Sequence, residues 1–198
     1  MTLDKFYPIV DSADWVRRLV GAGAKLIQLR VKEASDGDVT AEIEGSMIAC
    51  DAASAQLIVN DYWQAAIEAG CDFVHLGQGD LDTADVKAIR RAGIRLGIST
   101  HDHAELDRAL SFDPDYVALG PIYETLLKEM PWDPQGLDRI GEWKKIVGDK
   151  PLVAIGGLTL ERALLCLKAG ADSAAVVTDI VRAANPEARA KEWIAATR

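Results

Sequence analysis

The chain has 198 residues, 49% hydrophobic and 27% charged, the balance of a soluble globular protein with one substantial core. Its net charge of -9 argues against nucleic acid as a partner, and no apolar run approaches the roughly 18 residues that a membrane span needs. The N-terminus has no basic start leading into an apolar segment, so no signal peptide is expected; three widely spaced cysteines, Cys50, Cys71 and Cys166, suit a reducing cytoplasm rather than a disulfide framework or zinc site.

Phe6 to Val10 reads as a strand, and Ser12 caps a helix with Val16, Leu19 and Val20 on one face. Gly21 and Gly23 end that helix, and a second strand follows through Gln28. Asp36 to Ala53 is a long helix, Gln56 to Val59 a strand, Tyr62 to Ala69 a helix and Asp72 to Leu76 a strand. Asp82 is expected to open the next helix, which Gly93 stops, before a strand from Arg95 to Ile98. Asp102, with Glu105 three residues on, resembles a capping box for a helix to about Leu110. A strand from Asp115 to Leu119 leads into a longer loop, 122–136, and a helix through Leu137, Ile140 and Val147. Pro151 to Ile155 is a strand; Thr159 caps the helix after it, Ser173 to Val177 is the last strand, and Pro186 to Thr197 the closing helix.

Strand and helix alternate throughout, with a recurring joint: a helix ends on Gly23, Gly70 or Gly170 and a strand begins two or three residues later. Eight such units predict an α/β protein, a single (β/α)8 TIM barrel over residues 1–198. The alternative is a doubly wound open sheet, and the Gly-x-Gly-x-x-Gly that would favour it after the first strand is absent.

In the segment Lys25 to Lys32 the side chains split with period two. Ile27, Leu29 and Val31 point one way; Leu26, Gln28, Arg30 and Lys32 point the other. A half-exposed strand gives the same alternation. In a barrel the polar face looks at the axis, where Arg30 and Lys32 are tolerable only at the mouth, facing an anion. Other polar residues also follow predicted strands: Asn60 and Asp61, Gln78 and Asp80, Ser99 and His101, Thr125 and Lys128, Gly156 and Gly157, and Thr178. A barrel collects these positions on one rim, where the fold places active sites. Singly, Asp61 reads as a helix cap, Asp80 as a turn residue and Lys128 as a solvated lysine. Together, Asp61 and Asp80 make a hard oxygen site for Mg2+, and the Gly156-Gly157 and Val177-Thr178 loops suit a phosphate.

Gln28-Leu29-Arg30-x-Lys32, Asn60-Asp61, His75-Leu76-Gly77-Gln78-x-Asp80, Ser99-Thr100-His101, Gly120-Pro121-Ile122-Tyr123, Gln135-Gly136 and Val153-Ala154-Ile155-Gly156-Gly157 follow in order. This ordered set closely resembles the thiamine phosphate synthase family over nearly the whole chain. The resemblance implies a barrel transferase of thiamine biosynthesis that takes small-molecule substrates. It joins 4-amino-5-hydroxymethyl-2-methylpyrimidine diphosphate to a hydroxyethylthiazole phosphate, or its carboxylated precursor, with release of pyrophosphate. By the same resemblance Gln28, Leu29, Arg30, Val31, Lys32, Asn60, Ser99 and Lys128 bind the pyrimidine diphosphate, and Arg30, Lys32, Lys128 and Ser99 are the catalytic residues among them. Asp61 and Asp80 hold Mg2+. Thr125, Leu126, Leu127, Gly157, Val177 and Thr178 bind the thiazole phosphate.

The implied chemistry is a dissociative substitution. Arg30, Lys32 and Lys128 with Mg2+ neutralise the leaving diphosphate, the aminopyrimidine stabilises the cation left behind, and the thiazole nitrogen attacks it. No protein nucleophile is required, and His75 and His101 are expected to be structural. The chain departs from the family pattern at Leu127, where a threonine is usual, and at Asp179, which adds a negative charge beside the phosphate position; both bear on the thiazole side. Two other readings remain at this point. One is a thiazole tautomerase, a sister barrel with histidine where this chain has Pro121. The other is a non-catalytic thiazole- or thiamine-phosphate binder. The sequence leaves a homo-oligomer open.

Overall fold

The computed structural model describes residues 2–32, 35–125 and 132–198. Eight parallel strands close into a barrel in chain order: β1 (Phe6–Val10), β2 (Leu26–Leu29), β3 (Gln56–Asn60), β4 (Phe73–Leu76), β5 (Arg95–Thr100), β6 (Tyr116–Leu119), β7 (Leu152–Ile155) and β8 (Ser173–Val176), with β8 pairing back to β1. The (β/α)8 expectation holds, and the open-sheet alternative does not. Around the barrel run α1 (Ala13–Gly21), α2 (Asp36–Ala53), α3 (Trp63–Ala69), α4 (Val86–Arg91), α5 (His103–Ser111), α6 (Gly136–Val147), α7 (Leu160–Lys168), α8 (Thr178–Val181) and α9 (Pro186–Thr197). Among the described residues no helix is long and apolar enough to cross a membrane.

Period-two alternation builds two cores. Outward side chains, among them Phe6, Ile27, Leu29, Val59, Val74 and Leu119, pack against the helices. Inward ones, Tyr7, Ile9, Leu26, Ile58, Phe73, Tyr116, Ala118, Val153 and Ala175, fill the barrel. The β2 segment divides as its sequence predicts: Ile27 and Leu29 lie outside, while Leu26 and Gln28 are buried inside.

Helix starts follow local chemistry. Ser12, Asp102 and Thr159 each accept a backbone N–H from the first turn of α1, α5 and α7. Glu105 does not reach back to the Asp102 N–H; its carboxylate takes the N–H of His101, one residue earlier, at 2.8 Å. Asp82 does not open α4. It closes a 3-10 turn (Asp80–Asp82) and is bound by Arg108 at 2.6 Å, and Asp85 caps α4 instead. The short α8 is absent from the sequence reading.

The N-terminal end of the barrel is clipped by aspartates that each precede a strand. Asp172, ahead of β8, accepts the N–H of Leu152 at the start of β7 at 2.8 Å and is paired with Lys144 of α6. Asp115, ahead of β6, accepts the Leu96 N–H of β5 at 2.8 Å and pairs with Arg90 of α4. Asp72, ahead of β4, reaches both neighbours, Gln56 of β3 at 2.7 Å and Arg95 of β5 at 2.6 Å. Asp115 and Asp172 satisfy backbone N–H groups that the strand ladder leaves open, whereas Asp72 joins side chains of its two neighbouring strands.

Candidate active site

The opposite, C-terminal end gathers the residues the sequence singles out. Arg30 lies just past β2, half-buried, and Lys32 beyond it is exposed. Asn60 ends β3 in the interior, next to Asp61, which takes a left-handed φ of 65°. Such a backbone is uncommon for a residue with a Cβ and turns the chain sharply at the rim. The carboxylate of Asp61 does not cap α3, which has no side-chain cap at all.

Asp80 lies after β4, and its carboxylate accepts the Gly77 N–H at 3.0 Å. Burial pushes the Asp61 carboxyl up to about 6, reinforced by the charge of Asp80 and a hydrogen bond shared with it; Arg30 and then Asn60 pull the other way. Two carboxylates thus face each other beside a guanidinium, an arrangement that a divalent cation relieves. Among the described residues no cluster of three or more His, Cys, Asp and Glu side chains could hold a metal. A cation here would take two protein carboxylates and complete its shell with phosphate and water, the usual habit of Mg2+. Asn60 is 5% exposed, and although it lies near enough to influence Asp61, its Nδ2 has no hydrogen-bond partner among the described residues. A buried amide donor without a partner costs free energy, so it marks a place where a ligand is expected.

Below the rim a chain of polar side chains crosses the barrel. Gln28 Nε2 donates to Tyr7 Oη at 2.7 Å, the two tyrosine hydroxyls are 3.0 Å apart, Tyr116 Oη lies 2.6 Å from His75 Nδ1, and His75 Nε2 lies 2.8 Å from Ser99 Oγ. Burial, with Arg30 nearby, lowers the His75 pKa to about 3, so the ring is neutral. Burial also raises Tyr7 and Tyr116, which stay protonated. Gly97 makes the arrangement fit. It sits between His75 and Tyr116 in register, and a Cβ there would lie 2.2 Å from the Tyr116 ring. The freed space lets Tyr116 stack on His75, with centroids 5.4 Å apart and planes 18° from parallel. Tyr7 and Tyr116 are missing from the sequence reading. The available signal is positional: they share the inward phase of β1 and β6, as Gln28 does on β2.

On the far side of the mouth, the segments after β6 and β7 run against each other. Ile122 N–H donates to Ile155 O at 2.9 Å and Tyr123 N–H to Gly156 O at 3.1 Å. Gly157 has φ 64°, and a Cβ on it would lie 2.2 Å from Glu124 O. Only glycine allows that approach, which sets Thr125 and Gly157 on neighbouring segments. Val177 packs against the inner core and Thr178 opens α8. Leu126, Leu127 and Lys128 lie outside the described residues.

Three other candidates resolve differently. Gln78 locks the rim, donating to Ser99 O at 2.8 Å while its backbone carbonyl accepts from Arg108 at 3.1 Å. His101 is held by Glu105 at 2.6 Å and stacks on Trp132, in line with a structural role. Asp179 is already paired within the protein: it binds Arg189 Nε at 2.9 Å and Trp193 Nε1 at 2.7 Å. The cysteines are free and buried; burial pushes Cys50 and Cys166 up to about 12 and Cys71 to about 11, so none is a ready nucleophile.

The sequence pattern of a family described as thiamine monophosphate synthase matches residues 6–180. A thiamine-phosphate synthase of Rhizobium etli is 61% identical over 197 residues, covering 100% of this chain and 97% of the relative. One from Neisseria meningitidis serogroup A is 51% identical over 189 residues, covering 96% and 92%. Among solved structures, thiamine phosphate pyrophosphorylase from Pyrococcus furiosus superposes with a TM-score of 0.87 at 24% identity, covering 98% of this chain and 95% of that one. With the barrel, the paired carboxylates and the ordered rim in place, the chain belongs to the thiamine monophosphate synthase family and is a transferase.

Proposed function

We propose that this protein condenses 4-amino-5-hydroxymethyl-2-methylpyrimidine diphosphate with hydroxyethylthiazole phosphate, or its carboxylated precursor, to give thiamine phosphate and pyrophosphate. The observation that carries the reading is the Asp61–Asp80 carboxylate pair beside Arg30, with the unpartnered Asn60 amide at the same mouth. These groups suit a substrate that brings a diphosphate and hydrogen-bond acceptors.

Asp61 and Asp80 would hold Mg2+, which when bound supplies positive charge to the diphosphate oxygens. Arg30 and Lys32 add charge from the end of β2, and Lys128 is proposed to do so from the loop after β6. The C–O bond to the diphosphate breaks as its developing charge is neutralised, and the electron-rich aminopyrimidine carries the resulting cation. Gln28, Asn60 and Ser99 orient the pyrimidine diphosphate with their side chains, while Leu29 and Val31, whose side chains pack outward on the helices, contribute backbone groups. Thr125, Leu126, Leu127, Gly157, Val177 and Thr178 hold the second phosphate so that the thiazole nitrogen faces the cation, and the new C–N bond forms there. Neither a protein nucleophile nor a general base is needed, which agrees with the raised cysteine pKa values and the neutral, engaged His75. Three buried free thiols suit the cytoplasm as the site of action.

Incubating the protein with both substrates and Mg2+ tests the reading. Thiamine phosphate and pyrophosphate should appear in equal amounts. An isomerised thiazole phosphate, or ligands bound and returned unchanged, would overturn it.

A further inference from the structure

The hydrogen-bond chain under the mouth has two ends, and both are groups assigned above to the pyrimidine diphosphate: Gln28 and Ser99. What joins them, Tyr7, Tyr116 and His75, is buried. We propose that Tyr7, Tyr116 and His75 are positioning residues that bind Gln28 and Ser99 into one polarised chain, so that the amide setting of Gln28 determines whether Ser99 offers its hydroxyl proton to the substrate. This rests on the synthase reading for the identity of the ligand, but not for the chain itself.

Protons set the direction of every link. Each tyrosine hydroxyl has one proton to give, and a neutral imidazole has one N–H. Gln28 Nε2 can only donate, so Tyr7 Oη accepts and passes its own proton on to Tyr116. Tyr116 then donates to His75 Nδ1, which puts the imidazole proton on Nε2, where it donates to Ser99 Oγ. The Ser99 proton is left over. Ser99 is half-buried at the rim, so that proton is available to an anionic oxygen in the mouth. Turning the Gln28 amide over would reverse every link: its carbonyl would accept from Tyr7, His75 would carry its proton on Nδ1, and Ser99 would donate inward. A mixed setting leaves a hydroxyl proton facing another proton between buried groups, which costs that hydrogen bond. The chain therefore has two settings. With Gln28 Nε2 facing Tyr7, the chain takes the setting in which Ser99 is a donor to the ligand. Gly97 belongs to the device, since a side chain there would push Tyr116 off His75.

The tautomer of His75 reports the setting directly. The chain contains three histidines, so nitrogen-15 NMR of histidine-labelled, ligand-free protein resolves them, with His101→Gln and His103→Gln providing assignment. His75 should be the Nε2–H tautomer. Gln28→Glu, recorded from pH 7 to 9 so that the introduced carboxylate is ionised and can only accept, should switch it to Nδ1–H. Gln28→Glu combined with Tyr116→Phe, which keeps the ring and removes the link, should return it to Nε2–H. In turnover, Ser99→Ala should raise the KM for the pyrimidine diphosphate at least fivefold, and Ser99→Thr should restore it.

An Nδ1–H tautomer in the unmodified protein would overturn the proposal, and that measurement needs no variant to fold. So would a folded Gln28→Glu protein that keeps Nε2–H throughout, or a Ser99→Ala protein with unchanged KM. The NMR readings need no substrate. A protein that shows the predicted tautomers but makes no thiamine phosphate would refute the synthase reading alone; one that makes thiamine phosphate with the wrong tautomer would refute only the chain.

Discussion

Asp179 and Arg189 meet behind the rim, with Arg189 Nε at 2.9 Å and Nη2 at 3.2 Å from the two carboxylate oxygens, and Trp193 donating to the same carboxylate. The side chain of Asp179 is 17% exposed and that of Arg189 23%. The contact ties the residue after Thr178 to α9, so the negative charge that looks unfavourable beside a phosphate works as a buckle holding the last βα loop. Asp179→Ala would leave the Arg189 guanidinium and the Trp193 indole N–H short of an acceptor. We expect a loss of about 1–3 kcal/mol in stability, with the KM for thiazole phosphate rising because Thr178 loosens. Urea denaturation and steady-state kinetics check this. A more active and equally stable Asp179→Ala would mean that the charge does reach the phosphate.

Asp61 should make the ligand-free protein less stable as pH rises. Its folded carboxyl keeps a proton up to about pH 6, whereas an unfolded aspartate releases it near 4. Between those values the folded state binds more protons, so stability falls as pH climbs through this window and levels off above it. Asp61→Asn removes the effect: it should match the parent protein near pH 4 and exceed it by about 1–3 kcal/mol above pH 6. Adding Mg2+ at pH 7.5 should raise the Tm of the parent and leave Asp61→Asn unmoved. Equal Mg2+ shifts in both would exclude Asp61 as a ligand.

Turnover should stop in excess EDTA and return with Mg2+. Asp80→Ala should lower kcat/KM by about 10² or more while costing little stability, as a half-exposed rim carboxylate does. Undiminished synthesis in EDTA would eliminate the metal.

Arg30→Ala should reduce kcat by about 10² or more, because charge grows on the leaving diphosphate as the bond breaks. A rise in KM with kcat intact would make Arg30 a ground-state anchor. The variant should also raise the Asp61 pKa further, since Arg30 is an attractive charge acting on that carboxyl.

Gly157→Ala should fail on two counts: a φ of 64° and a Cβ placed 2.2 Å from Glu124 O. A destabilisation of about 1–3 kcal/mol is expected. The KM should rise for thiazole phosphate and stay near the parent value for the pyrimidine diphosphate. Equal changes in both would show that the loops after β6 and β7 do not form a separate pocket wall.

Most of the barrel was legible because its determinants are local. Ser12, Asp102 and Thr159 carry their caps in the sequence, and Ile27 and Leu29 against Leu26 and Gln28 give the two faces of β2. The misses share a long-range cause. Asp82 and Asp85 are equally good caps on paper, and the choice falls to Asp85 with Arg108, 26 residues away, binding Asp82. Asp179 looked like a rim charge because its partner lies on the closing helix. Tyr7 and Tyr116 go unread in the sequence because their hydroxyl partners are on other strands, and the polar chain exists only once the barrel closes. The paired carboxylates were found from position alone, since the ends of neighbouring parallel strands are close in any barrel.

The aspartates at the N-terminal end carry a practical consequence. Asp72, Asp115 and Asp172 clip strand to neighbouring strand at the end away from the chemistry. A set of strand-to-strand ties therefore lies at the pole opposite the reactive one. A chimaera that exchanges the loops after β6 and β8 for those of a relative keeps every one of these clips. Loop grafting should thus be able to retune the choice of thiazole without a new scaffold, whereas replacing all three aspartates should lower stability whatever the loops.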